Sequence, residues 1–122
     1  MTVPRVPANT GPAGKRLWGD VLGAYELEEH EMALLREMVR TVDLLDDLDA
    51  VVRRDGLLVE GPKGDQKMHP AVVEARQARI ALARLAASLR LPSGDEEDQA
   101  NRRRPQRRGA ARGVYGIRGA VS

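Results

Sequence analysis

Residue types that commonly do chemistry are few in this chain and are not grouped. The 122 residues include two histidines, His30 and His69, and no cysteine. Neither histidine belongs to a zinc-binding pattern such as HExxH, and a chain without cysteine has no thiolate ligand, disulfide or thiol nucleophile. We therefore predict no catalytic residue, no metal site and no cofactor. His69 is expected to end a hairpin or to cap the helix that Pro70 begins.

Two other motifs resemble binding sites but lack the required spacing. One is a group of aspartates, namely Asp43, Asp46, Asp47 and Asp49. A helix points them in different directions, and they lack the glycine and spacing of a calcium loop, so we predict a solvated face or salt bridges to neighbouring subunits. The other is Gly61-Pro62-Lys63-Gly64, which lacks the spacing and the Ser or Thr of a phosphate-binding loop. Nucleotide hydrolysis is not expected.

The strongest chemical signal lies at the C-terminal end. From Arg102 onward there are seven arginines and no acidic residue, namely Arg102, Arg103, Arg104, Arg107, Arg108, Arg112 and Arg118. This tail carries +7, so the preceding residues sum to −5 in a chain of net charge +2. A flexible cation array neutralises phosphates and releases counterions, which predicts sequence-tolerant DNA binding. A solubilising tail is the alternative, and Tyr115 could add base stacking.

Basic residues on helices are further candidates for DNA contact. Lys15 and Arg16 lie at the start of the first helix and are included in the predicted DNA-binding set. Arg76, Arg79, Arg84 and Arg90 on the third helix are secondary candidates. Long basic side chains on helices are more often simply solvated.

The first half of the chain predicts a flexible arm and two helices. Residues 1–13 are rich in proline and form the arm, with Pro12 at the first helical position. A short amphipathic helix is predicted over 15–25, where Gly19 and Gly23 either weaken the helix or allow another helix to approach. A long helix is predicted from about Glu28 to Asp55, where Gly56 supplies the usual left-handed end.

The second half predicts a hairpin, a third helix and the tail. Residues 57–69 flank a glycine-proline turn and form a small β-hairpin. A helix follows from Pro70 to Leu91, and Pro92 ends it. Ser93 and Glu96 have capping-box spacing, so a short helix can start there, and the rest is expected to be disordered without a partner. The fold class is thus mainly α, with a helical core over 14–92 and an acidic-then-basic tail over 93–122.

Two apolar seams predict that the chain assembles with copies of itself. The second helix contributes Leu35, Met38, Val42 and Leu45, and the third contributes Ala78, Leu82, Leu85 and Leu89. Both repeat at coiled-coil spacing, and the chain has no Phe to fill a core of about 75 residues. We therefore expect part of this surface to pack against a sister copy. A self-contained helical hairpin is the alternative.

The sequence contains neither a signal peptide nor an apolar run of about 20 residues, so we expect a soluble cytoplasmic protein without membrane contact. The absence of cysteine is consistent with a reducing compartment.

The ordered elements resemble a known family. The relevant pieces are Gly14-Lys15-Arg16-Leu17-Trp18, the long helix ending Val52-Arg53-Arg54-Asp55-Gly56-Leu57-Leu58-Val59, and the helix from His69-Pro70-Ala71 to Leu89-Arg90-Leu91-Pro92. Over residues 14–92 the chain resembles the small terminase subunit of tailed bacteriophages, in its compact helix-hairpin-helix family. The resemblance implies a homo-oligomeric ring in the host cytoplasm. Such a ring recognises double-stranded phage DNA and presents it to the large terminase subunit, the ATPase and nuclease, without catalysis of its own.

The resemblance leaves two points open. Leu27-Glu28-Glu29 stands where a Ser or Thr helix cap is usual, which blurs the start of the second helix. The arginine tail lies outside the shared core, so its DNA contact is inferred from charge alone. Two other functions remain as alternatives: a basic-tailed architectural or regulatory DNA-binding protein that acts as a dimer, and an adaptor whose tail binds an acidic protein surface.

Overall fold

The computed structural model describes residues 3–91 and 105–107. Within these residues the protein is mainly helical and contains a small β-hairpin, as predicted, and it also has a second small antiparallel sheet that was not predicted. The capping box predicted at Ser93 and the stacking role of Tyr115 lie outside the described residues. No helix among the described residues is long and apolar enough to cross a membrane.

The N-terminal residues lie against the body, in contrast to the flexible arm expected for 1–13. Helix α1 spans Pro12–Ala24 and begins at Pro12 as predicted, and strand β1, Tyr25–Glu26, follows directly. The indole Nε1 of Trp18 donates to the carbonyl oxygen of Pro4 at 2.8 Å. A buried indole N–H requires an acceptor, and the arm supplies it. Val6 also packs against the core, so burial holds the described part of the arm in place.

Helix α2 spans Glu29–Asp55, and its N-terminus is capped by a glutamate, which is not a usual N-cap residue. The side chain of Glu28 accepts from the backbone N–H of Glu31, and Glu31 Oε1 accepts from the backbone N–H of Glu28 at 2.7 Å. Glu28 thus replaces the usual Ser or Thr in a reciprocal capping box. The helix ends at Gly56 as predicted; its φ of +87° lies in the positive range that favours glycine, but its ψ of 169° differs from the left-handed conformation that was expected.

The hairpin and the third helix follow the predicted order. Strands β2, Leu58–Glu60, and β3, Gln66–Met68, pair antiparallel, with Leu58 opposite Met68. Helix α3 spans Pro70–Leu89, two residues shorter than expected, because Arg90 adopts the left-handed conformation at φ +65°. The helix returns along α2 and buries alanines 71, 75 and 78, whose small size permits close helix contact.

The core uses several residues that the sequence assigned to an interface between copies. Trp18, Val21 and Leu22 of α1 pack with Leu35 and Val39 of α2. Of the predicted oligomerisation residues, four are buried within the single chain, namely Leu35, Met38, Ala78 and Leu89. The remaining four are half-buried, namely Val42, Leu45, Leu82 and Leu85. The four buried residues therefore belong to the core of a single chain. Both α1 and α3 pack on α2, so together they cover more of it than a single partner helix would.

Candidate nucleic-acid interface

A short part of the arginine tail is paired with the body. Strand β4, Gln106–Arg107, lies antiparallel to β1, with Tyr25 opposite Arg107 and Glu26 opposite Gln106. Pro105, just before the strand, is buried. The prediction of a tail without structure in the absence of a partner is therefore wrong for residues 105–107. Sequence patterns gave no signal for this pairing, because each strand has only two residues and no apolar alternation.

Arg107 makes an aromatic contact in this arrangement. Its guanidinium carbon lies 5.4 Å from the centroid of the Tyr25 ring. At this distance the positive charge is attracted by the electron-rich ring face. Tyr25 in turn packs against the core cluster, which anchors the aromatic side of this contact.

Lys15 and Arg16 form a second basic group, which is separate from Arg107. Both side chains are exposed on the first turns of α1. Ten residues separate Lys15 from Tyr25, or about 15 Å along a helix. The structure therefore does not bring Arg107 together with Lys15 and Arg16. The other predicted DNA-binding residues lie outside the described residues, namely Arg102, Arg103, Arg104, Arg108, Arg112 and Arg118.

Asp43 positions the helix that carries Lys15 and Arg16. Its carboxylate accepts from the backbone N–H of Gly11 at 2.7 Å and from that of Gly14 at 2.8 Å. Gly11 occupies the cap position of α1 but has no side chain with which to accept these bonds. A residue 29 positions beyond Gly14 therefore supplies the cap and places a negative charge at the helix N-terminus. Asp43 was expected on a solvated face or in a salt bridge to a neighbouring subunit, so its capping role was not predicted.

The other aspartates of α2 do not converge on a cation site. Asp49 forms a salt bridge with Arg79 of α3 at 3.2 Å, within one chain and not with a neighbouring subunit as expected. Asp46 and Asp47 are exposed. Among the described residues there is no group of three His, Cys, Asp or Glu side chains that could hold a metal ion.

His69 lies after β3, at the start of α3 and beside the end of α2, and it has the capping role that was predicted. Its Nδ1 accepts from the backbone N–H of Ala71 at 3.0 Å and so caps α3. This requires the proton on Nε2, which lies 2.9 Å from Asp55 Oδ2 at the end of α2. Arg54 also hydrogen-bonds to Asp55. The hydrogen bond from Arg54 and, to a smaller extent, the one from His69 hold the pKa of the Asp55 carboxyl well below its ordinary value. Both ring nitrogens are thereby engaged.

Exposed apolar side chains are concentrated away from α1. Among the described residues, the exposed large apolar side chains other than Val3 lie on α2, the hairpin and α3, namely Leu44, Leu57, Leu58, Met68, Val73 and Ile80. We call this set the apolar surface. Leu57 is 63% exposed and Leu58 54%, so one chain covers them poorly. Leu58 and Met68 are directly opposed in the hairpin, and exposed apolar side chains that adjoin one another commonly mark a contact with another protein.

Comparisons of the chain with models of protein families, with curated proteins and with solved structures give no match.

Proposed function

We propose that this protein is a non-catalytic DNA-binding subunit that acts as the small terminase subunit of a tailed bacteriophage. In this function several copies form a ring through their helical bodies, bind double-stranded phage DNA and present it to the large terminase subunit. The proposal combines the family resemblance over residues 14–92 with the distribution of charge and apolar surface.

The observation that carries the proposal is that one small chain exposes both apolar and basic side chains. The apolar surface lies on the hairpin, on α3 and at Leu44 of α2. Exposed basic residues lie on α1 and next to β1, namely Lys15, Arg16 and Arg107, and also on α3 or at its C-terminal end, namely Arg76, Arg79, Arg84 and Arg90. An assembling subunit needs the apolar side chains for its copies and the basic ones for phosphates. A ring multiplies weak phosphate contacts through effective concentration, so one copy alone is expected to bind DNA poorly.

The first experiment measures the mass of the assembly. Native mass spectrometry or light scattering at micromolar concentration is expected to give a closed ring of several copies. Ile80→Glu places a charge in the apolar surface and is expected to reduce the assembly, whereas Val3→Glu makes a similar change at an exposed residue outside it. A stable monomer in the wild type would exclude the ring. A dimer would favour an architectural or regulatory DNA-binding protein.

The second experiment measures DNA binding as a function of salt. Deletion of residues 101–122 is expected to leave the assembly intact and to lower both the DNA affinity and its dependence on salt concentration. The slope of log affinity against log salt should become shallower by about 0.9 for each phosphate that the tail no longer neutralises. Unchanged binding after the deletion would show that DNA contacts Lys15, Arg16 or α3 and not the tail. No binding by the full chain at low salt would favour an adaptor with an acidic protein partner.

A further inference from the structure

We propose that the exposed edge of β1 together with the ring of Tyr25 is a docking site for the tail, and that docking competes with DNA. The occupant is the segment Pro105–Arg107 of the same chain. The proposal rests on the proposed function, because it assumes that the arginine tail binds DNA. It adds that the tail has two alternative positions, one on the body and one on DNA.

The contacts of the segment define the docking site. Backbone pairing joins Gln106 and Arg107 to Glu26 and Tyr25, and Pro105 is buried next to this pair. Three kinds of contact, a strand ladder, a buried proline and a cation over an aromatic ring, therefore act on three consecutive residues. Such a set recognises an extended segment with a positive charge at its end, as in the addition of a strand to an exposed edge.

The surroundings of the docking site are unfavourable for DNA. Glu28 and Glu29 lie two and three residues beyond the end of β1, and both are exposed at the start of α2. These carboxylates attract an arginine-rich segment and repel phosphates. In the docked form the guanidinium of Arg107 lies over the ring of Tyr25, so its full approach to DNA requires departure from β1. The sequence places Arg102, Arg103, Arg104 and Arg108 within three residues of the segment, so five of the seven tail arginines belong to it or lie next to it in sequence.

The contact is weak enough to be reversible. A two-stranded ladder of two residues per strand is marginal in water, and a partly exposed cation–aromatic contact adds little. If the docked form predominates about fivefold, removal of the site raises the apparent DNA affinity by a similar factor, which corresponds to about 1 kcal/mol. The docking site would thus reduce weak binding to arbitrary DNA by single copies, whereas many tails acting together overcome it.

A disulfide lock tests the proposal on the full chain. Glu26 and Gln106 are opposite each other, and directly opposed residues in an antiparallel pair are close enough for a disulfide after small adjustment. The chain has no cysteine of its own, so Glu26→Cys with Gln106→Cys adds a single pair. Oxidation is expected to weaken binding to double-stranded DNA about tenfold and to lower its salt dependence, because the neighbouring arginines are restrained. Reduction is expected to restore both.

The controls separate the lock from other effects. The double variant Glu26→Ser, Gln106→Ser should bind DNA equally with and without oxidant. A non-reducing gel must show the disulfide within one chain, and a covalent dimer would overturn the intrachain contact. Tyr25→Leu keeps an apolar side chain against the core but removes the aromatic face, and it is expected to raise DNA affinity about fivefold.

The outcomes distinguish this inference from the proposed function. If the wild-type chain binds DNA but the oxidised and reduced forms bind equally, the docking site does not compete with DNA and the inference is wrong. If neither the wild-type chain nor Tyr25→Leu binds DNA at low salt, the proposed function itself fails.

Discussion

Asp43 on α2 holds the first turn of α1 by accepting a hydrogen bond of 2.8 Å from the backbone N–H of Gly14. The other carboxylate oxygen accepts from Gly11 at 2.7 Å. One side chain thus joins two helices and orients the turn that carries Lys15 and Arg16.

Replacement of Asp43 by alanine is expected to destabilise the protein. The substitution leaves two part-buried N–H groups without their acceptor and removes a negative charge from the helix N-terminus, at a cost of about 1 to 2 kcal/mol. Asp43→Asn should have an intermediate effect, because it keeps one acceptor oxygen. Urea denaturation at one fixed protein concentration measures the free energy of unfolding. Asp47→Ala, at an exposed acid on the same helix, is the control, and equal stabilities of the two alanine variants would contradict the capping role.

Glycine-to-alanine substitutions at two positions of α1, Gly14 and Gly19, are expected to change the stability of the protein in opposite directions. A Cβ at Gly14 would lie 2.6 Å from Asp43 Oδ2 and 2.8 Å from Val39 Cγ1, whereas nothing lies within 4 Å of one at Gly19 or Gly23. Gly14→Ala should therefore destabilise by about 1 to 3 kcal/mol through overpacking. Gly19→Ala should stabilise by about 0.5 to 1 kcal/mol, because alanine favours the helix. Thermal unfolding should rank Gly19→Ala above the wild type and Gly14→Ala below it; any other order would refute the close approach of α1 to α2.

Substitutions of His69 are expected to distinguish the contributions of its two hydrogen bonds to stability. His69→Ala removes the cap on Ala71 and the bond to Asp55, and should cost about 1 to 2 kcal/mol. Asn is a good helix cap and should restore much of the stability without reaching Asp55. Chemical denaturation of both variants gives the comparison. Equal destabilisation by Ala and Asn would mean that the contact with Asp55, and not the cap, carries the effect.

Asp55 is expected to make stability depend on pH in the acid range. The hydrogen bonds from Arg54 and then from His69 lower the pKa of Asp55 from its ordinary value of 3.8, so the unfolded chain binds its proton first. The stabilisation is therefore complete above about pH 4 and is lost as the pH falls through the folded pKa. Free energies of unfolding of the wild type and Asp55→Asn should differ at pH 6 and converge below pH 4. A gap that stays constant down to pH 2 would show that the Asp55 charge is not involved.

Local signals in the sequence were sufficient for the order and bounds of most elements. Pro12 and Pro70 predicted two helix starts, Gly56 a helix end, and the glycine-proline turn the hairpin, because each depends on a few neighbouring residues. The role of His69 beside the start of α3 was predictable for the same reason.

Contacts between distant parts of the chain could not be obtained in this way. The cap from Asp43, the packing of the arm on Trp18 and the pairing of Arg107 with Tyr25 join residues far apart in sequence. The periodicity of the apolar seams likewise showed that Leu35, Met38, Ala78 and Leu89 are buried, but not by what. Periodicity reports which face of a helix avoids water, whereas the three-dimensional arrangement of α1, α2 and α3 selects the neighbour that covers it.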